Sequence, residues 1–130
     1  MTLSQDWHVL IVEDDPNSVD VVEDALHLYR HTAEIRCAVD GSECLDMLGS
    51  YRPTFVIMDL ALPKINGWEA LEAIRHNPAT ADLPVIAITA YHSAHVAEDA
   101  VRAGFDAYFP KPIDVFSFGQ NVERVLGRAI

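Results

Sequence analysis

The sequence predicts an α/β fold, a parallel sheet with helices on both faces. Three observations carry this. Short apolar runs alternate with stretches of helical periodicity about five times along the chain. The apolar runs are near-continuous, as in strands buried on both faces. The connections are short, and no linker, repeat or low-complexity segment interrupts them. Alternation of this kind implies right-handed crossovers and a single layered core. At 130 residues the natural count is one domain, residues 1–130, with its core over about 8–127.

The elements follow in order. His8 to Val12 is a first buried strand that stops at Glu13, Asp14 and Asp15. Pro16 fits the first position of a helix and Asp15 its cap. Val19, Val22, Leu26 and Tyr29 lie on one face of that helix. Glu34 to Val39 reads as a second, weaker strand, and Asp40-Gly41-Ser42 as a turn. Cys44, Leu45 and Leu48 give a short second helix ending near Gly49. Phe55 to Met58 is a third buried strand ending on Asp59. The next helix runs from Gly67 to His76, with Ala70, Leu71 and Ile74 inward. Pro84 opens a fourth strand that stops at Thr89, and Ser93 to Ala103 is a fourth helix closed by Gly104. Asp106 to Phe109 is a short fifth strand running into Pro110-Lys111-Pro112. Asp114 caps a last helix whose apolar stripe is Phe118, Val122, Val125 and Leu126.

Charge narrows the function classes. Nine Lys and Arg stand against twenty Asp and Glu, a formal net charge of −11. That balance argues against nucleic acid or an anionic membrane as a direct partner, because phosphates are repelled. It favours cations and basic protein surfaces. Cys37 and Cys44 have no zinc-site company and read as two half-buried thiols in a reducing compartment. Met1 to Trp7 lacks the pattern of a signal peptide, and no apolar run is long enough to span a bilayer. A cytoplasmic protein is expected. The six His residues are expected at the surface or its boundary.

The strand ends carry the chemistry. Glu13, Asp14 and Asp15 follow the first strand, Asp59 ends the third, Thr89 the fourth, and Lys111 follows the fifth. All fall on the carboxyl edge of the sheet, where open α/β folds bind ligands. A flavodoxin-like order, with the first and third strands adjacent, would set Asp14 beside Asp59. Clustered carboxylates repel and need a cation, and hard oxygen ligands without His or Cys suit Mg²⁺. With Lys111 and the Thr89 hydroxyl nearby, the set matches the needs of phosphoryl transfer. Asp59 is the candidate nucleophile, since a carboxylate can form an acyl phosphate. Taken singly, Glu13-Asp14-Asp15 reads equally well as a helix-start charge run, Thr89 as a cap and Lys111 as a surface lysine.

Val-Glu-Asp-Asp after the first strand, Met-Asp-Leu-Ala-Leu-Pro-Lys-Ile-Asn-Gly around Asp59, Thr89-Ala90 and Lys111-Pro112 together resemble the receiver domain of bacterial two-component response regulators. The resemblance covers about His8 to Leu126. It implies a (βα)5 flavodoxin-like three-layer sandwich of strand order 2-1-3-4-5. It implies that Asp59 accepts a phosphoryl group from a sensor histidine kinase or a histidine phosphotransfer protein, with Mg²⁺ as cofactor. Metal ligands would be Asp14, Asp59, the backbone carbonyl of Ala61, and Glu13 through water. Lys111 would pair with the phosphoryl oxygens, and its peptide bond to Pro112 would be cis. Thr89 and Tyr108 would be the switch residues. Tyr91 is expected to crowd water attacking the phosphoryl group, while Ala61 leaves room. The role of Asp15 stays open between ligand and helix cap.

Phosphorylation is expected to alter the surface of the fourth helix, fifth strand and fifth helix, and so to control an unknown protein target. A stand-alone receiver, monomeric or dimerising on phosphorylation, is the expectation for a chain ending shortly after the last helical stripe. A receiver cut from a longer regulator is the rival. Two alternatives come from other classes. One is a receiver-like scaffold acting without phosphorylation. The other is a small phosphatase with an aspartyl nucleophile, which would place a second acid where Ala61 stands. No enzyme activity is expected beyond phosphorylation from small donors and loss of that phosphoryl group.

Overall fold

The computed structural model describes residues 6–129. The reading of the N-terminal segment therefore lies, over residues 1–5, outside the described residues. Ten elements alternate strictly: β1 (His8–Val12), α1 (Pro16–Tyr29), β2 (Glu34–Ala38), α2 (Gly41–Leu48), β3 (Phe55–Asp59), α3 (Gly67–His76), β4 (Val85–Thr89), α4 (Ala94–Ala103), β5 (Ala107–Pro110) and α5 (Phe118–Ala129). The five strands form one parallel sheet ordered β2-β1-β3-β4-β5. This is the expected flavodoxin-like order, with β1 beside β3.

Period-two alternation sorts the strand side chains into two cores. Leu10, Val12, Val56, Met58, Val85 and Ala87 point to one face, against Cys44, Ala70, Leu71, Ile74 and Ala100 of α2, α3 and α4. Val9, Ile11, Phe55, Ile57, Ile86 and Ile88 point to the other, against Val22, Ala25 and Leu26 of α1 and Phe118, Val122 and Val125 of α5. Every residue of β3 and β4 is buried. Apolar side chains buried on both faces leave the strands no other way to sit.

Helix starts are set by short polar side chains. Asp15 caps α1, Asp40 caps α2 and Ser93 caps α4. Asn66 and Glu69 form a reciprocal capping box at α3. Gly104 closes α4 at φ 110°, a left-handed conformation that glycine adopts without a Cβ penalty. Asp114 acts one turn earlier than expected. Its carboxylate accepts from the Phe116 N–H and the Ser117 hydroxyl, in a turn that leads into α5 at Phe118.

Two further expectations are corrected. β2 stops at Ala38, and the exposed Val39 lies beyond it. The two thiols are not both half-buried: Cys44 is fully buried and Cys37 exposed. Tyr29 is partly exposed at the end of α1, where its ring packs on Trp7 and its hydroxyl donates to Glu123. Among the described residues no helix is long and apolar enough to cross a membrane.

The start of α3 is pressed against the end of β3. A Cβ on Gly67 would stand 2.6 Å from the Asp59 carbonyl oxygen and 2.8 Å from the Leu60 Cα. Both are backbone atoms and neither can swing aside. Gly67→Ala is therefore expected to lower the stability of the fold by about 1–3 kcal/mol, read as a reduced urea midpoint with unchanged slope.

Candidate functional site

Each polar group of the site stands where an apolar strand stops. The Glu13 N–H still pairs with the Ala38 carbonyl, so Glu13 continues the line of β1 and is buried. Asp14 follows it, exposed at the mouth of the site. Asp59 closes β3 and is buried at 5% exposure. One carboxylate oxygen from each of Glu13, Asp14 and Asp59 lies within 4.8 Å of the others. Asp15 stands apart. Its carboxylate accepts from the Asn17 N–H at 3.2 Å and from the Ser18 hydroxyl at 3.1 Å, as the cap of α1.

Lys111 enters this cluster from beyond β5. Its Nζ donates to Glu13 Oε1 at 2.5 Å, to Asp59 Oδ2 at 3.0 Å and to Ser18 Oγ at 3.3 Å. The Lys111–Pro112 peptide bond is cis. The other Asp59 oxygen, Oδ1, accepts from the Ala61 N–H at 3.0 Å. Glu13 Oε2 accepts from the Asp15 N–H at 3.2 Å. The two buried carboxylates are thus held on both oxygens, by one ammonium and by the backbone of the loops that follow their strands.

Burial pushes the Glu13 carboxyl up to about 7 from an ordinary 4.5; its bond to Lys111 opposes the rise, and the Asp59 charge adds to it. Burial alone would lower the Lys111 ammonium, but its bonds and charge pairing with Glu13 and Asp59 carry it above its usual value.

Thr89 ends β4, buried, with its hydroxyl accepting from the Tyr91 N–H at 3.1 Å. Its carbonyl accepts from the Lys111 N–H, which ties the ends of β4 and β5 together. Ala61, Thr89 and Tyr91 line one hollow with Leu60, Asn66, Trp68 and Val96, about 310 Å³ in volume. Tyr108 lies on β5, half-buried, and its hydroxyl meets His92 Nδ1 at 2.7 Å with the two rings stacked. Lys64 holds the left-handed conformation at φ 63° in the loop after β3, with its ammonium 3.7 Å from Asp40.

The structure therefore brings together Glu13, Asp14, Asp59 and Lys111, with Thr89 on the adjacent strand and Ala61 on the adjoining loop. Tyr108 has His92 as its hydrogen-bond partner. Sequence reasoning missed the Ser18 contact to Lys111 and the His92 contact to Tyr108. Ser18 had a usable signal: it is the third residue of a helix whose N-terminus opens at the site.

A family model of the response regulator receiver domain matches residues 9–123. The chain belongs to that family. It is 31% identical over 121 residues to the polar-differentiation response regulator DivK of Brucella anthropi, covering 93% of this chain and 97% of that protein. A solved structure from Chloroflexus aurantiacus superposes with a TM-score of 0.86 at 28% identity, covering 95% of this chain and all of that one. The receiver domain of the sensor histidine kinase PA1611 from Pseudomonas aeruginosa superposes with a TM-score of 0.78 at 27% identity, covering 94% and 95%. That receiver carries a magnesium ion in its active-site cleft.

The donor set of the present receiver domain fits such an ion. It offers three carboxylates and no nitrogen or sulfur ligand, the hard oxygen environment that Mg²⁺ prefers.

Between about pH 4.5 and 7 the native protein keeps a proton on Glu13 that the unfolded chain has already released; above that range Glu13 is a carboxylate. Its contribution is full below about pH 4.5 and is lost as pH rises through about 7. In a chelator, Glu13→Gln is expected to flatten that part of the stability profile, measured by urea unfolding from pH 4.5 to 8.

Proposed function

We propose that this receiver accepts a phosphoryl group on Asp59 from a phosphohistidine of a sensor kinase or phosphotransfer protein, and thereby switches the contacts it makes with other proteins. The observation that carries this is the Lys111 ammonium bonded to Asp59 inside a cluster of three carboxylates. A surface aspartate has no use for such company, whereas a phosphoacceptor needs it. Its nucleophilic oxygen must be held in place, and the charge arriving with the phosphoryl group must be met by a cation.

In the step itself an Asp59 carboxylate oxygen forms a bond to phosphorus while the phosphorus–nitrogen bond of the donor imidazole breaks. The electron pair of that bond returns to the imidazole nitrogen. The Ala61 N–H orients one Asp59 oxygen, and Lys111 is within reach of the phosphoryl oxygens once it releases a carboxylate. Mg²⁺, held by Asp14, Asp59 and the Ala61 carbonyl with Glu13 acting through water, would neutralise phosphoryl charge when bound. Thr89 gains a new acceptor when the phosphoryl group arrives and gives up the Tyr91 N–H that it now accepts from. The loop after β4 carries both Tyr91 and His92, so its movement reaches Tyr108 and the α4, β5 and α5 surface.

Little favours the rival classes. A phosphatase needs a second acid near the nucleophile, and Ala61 fills that position. A scaffold that ignores phosphate has no need of Lys111 among buried carboxylates.

Incubation with acetyl phosphate, followed by intact mass, tests the proposal. A gain of one phosphoryl group that requires both Mg²⁺ and Asp59, and is absent in Asp59→Asn, is the expected result. If a beryllium fluoride adduct also fails to form at Asp59, the phosphoacceptor reading is wrong.

A further inference from the structure

We infer that Ser18 is a positioning residue for phosphoryl transfer, its hydroxyl holding the Lys111 ammonium in place while the carboxylates serve the cation. The inference rests on the reading of Asp59 as phosphoacceptor.

An ammonium has three N–H donors. Those of Lys111 meet three acceptors: Glu13 Oε1, Asp59 Oδ2 and Ser18 Oγ. A hydroxyl has one proton, and that of Ser18 points to Asp15 Oδ2 at 3.1 Å. Its lone pairs are left for Lys111. The residue that caps α1 therefore also sets the direction of the Ser18 hydroxyl. Asp15 is itself fixed by the Asn17 N–H, and Pro16 opens the helix between them. A continuous chain of bonds runs from the α1 cap through Ser18 and Lys111 to Asp59.

A serine in the first turn of a helix commonly bonds its own cap and does nothing more. The contact with Lys111 goes beyond that, since the lysine stands 93 positions away in the sequence. Ser18 also differs in kind from the other two acceptors. Glu13 and Asp59 belong to the carboxylate cluster that suits a cation; Ser18 does not. When a cation draws on those carboxylates, Ser18 is the acceptor that keeps Lys111 at the site. Being neutral, it holds the ammonium loosely enough for the other donors to turn to a phosphoryl oxygen.

Ser18→Thr and Ser18→Val test this, since they share a shape and differ in the hydroxyl. Phosphorylation by acetyl phosphate in saturating Mg²⁺ is followed by mass. Ser18→Val is expected to lower the maximal rate about tenfold while leaving half-saturation by the donor unchanged, and Ser18→Thr to restore it. Separately, without donor, the Lys111 ammonium resonance is expected to be slow-exchanging in wild type and Ser18→Thr and broadened in Ser18→Val. Equal rates and equal resonances in the two variants overturn the inference while leaving Asp59 as acceptor. A wild type that takes no phosphoryl group and no beryllium fluoride overturns the phosphoacceptor reading, and this inference with it.

Discussion

Three carboxylates in one small space require a positive charge, and the architecture of the site follows from that. Two unit charges about 4 Å apart repel by roughly 4 kcal/mol at the effective dielectric of a protein surface. Glu13, Asp14 and Asp59 have oxygens within 4.8 Å, and two of the three residues are buried. Lys111 supplies the charge with bonds to both buried carboxylates. The cluster and its lysine come from the ends of β1, β3 and β5, so the electrostatics depend on parallel strands that put these ends on one edge and on an order that sets β1 beside β3.

The apolar layers make that order rigid. Both faces of β3 and β4 are buried, and the two cores leave no room for a slip of register. β5 is an edge strand, only partly buried, and is anchored separately. Arg75 of α3 provides the anchor, donating to the carbonyls of Leu83 and Gly104 and to the Asp106 carboxylate, which in turn accepts from the Val85 N–H. One guanidinium thus ties the C-terminal end of α3, the cap of α4 and the approach to β5. The fork geometry of arginine suits this, since several acceptors are met at fixed angles. The position of Lys111 depends on β5, so this distant clamp supports the site.

Much of this was legible in the sequence, for identifiable reasons. The strands of the sheet interior are near-continuous apolar runs and are legible almost to the residue. The helix starts carry Asp, Asn or Ser caps whose chemistry is local. The edge strands were harder. β2 carries Glu34 and Arg36 and is mostly exposed, so little in its pattern marks where pairing stops. The two cysteines look alike in sequence, yet Cys44 faces α2's core side and Cys37 faces outward from that edge strand. In the site, the residues joined by strand-end logic were found together. Those joined only by tertiary approach were not. Ser18 meets Lys111, and His92 meets Tyr108, across separations that no periodicity encodes. Asp15 shows the reverse. Its two readings, ligand or cap, are chemically equal in the sequence, and its bonds to Asn17 and Ser18 make it the cap.

The central claim is that Lys111 acts as the resident cation of the carboxylate cluster, in the space where a divalent ion would compete with it. Calorimetric titration with MgCl₂ of the wild type against Lys111→Met tests this most directly. Removing the ammonium frees Glu13 and Asp59 from their competitor, so the variant is predicted to bind Mg²⁺ about tenfold more tightly, a difference of about 1.4 kcal/mol. A folded Lys111→Met protein that binds Mg²⁺ no more tightly than the wild type would contradict the account.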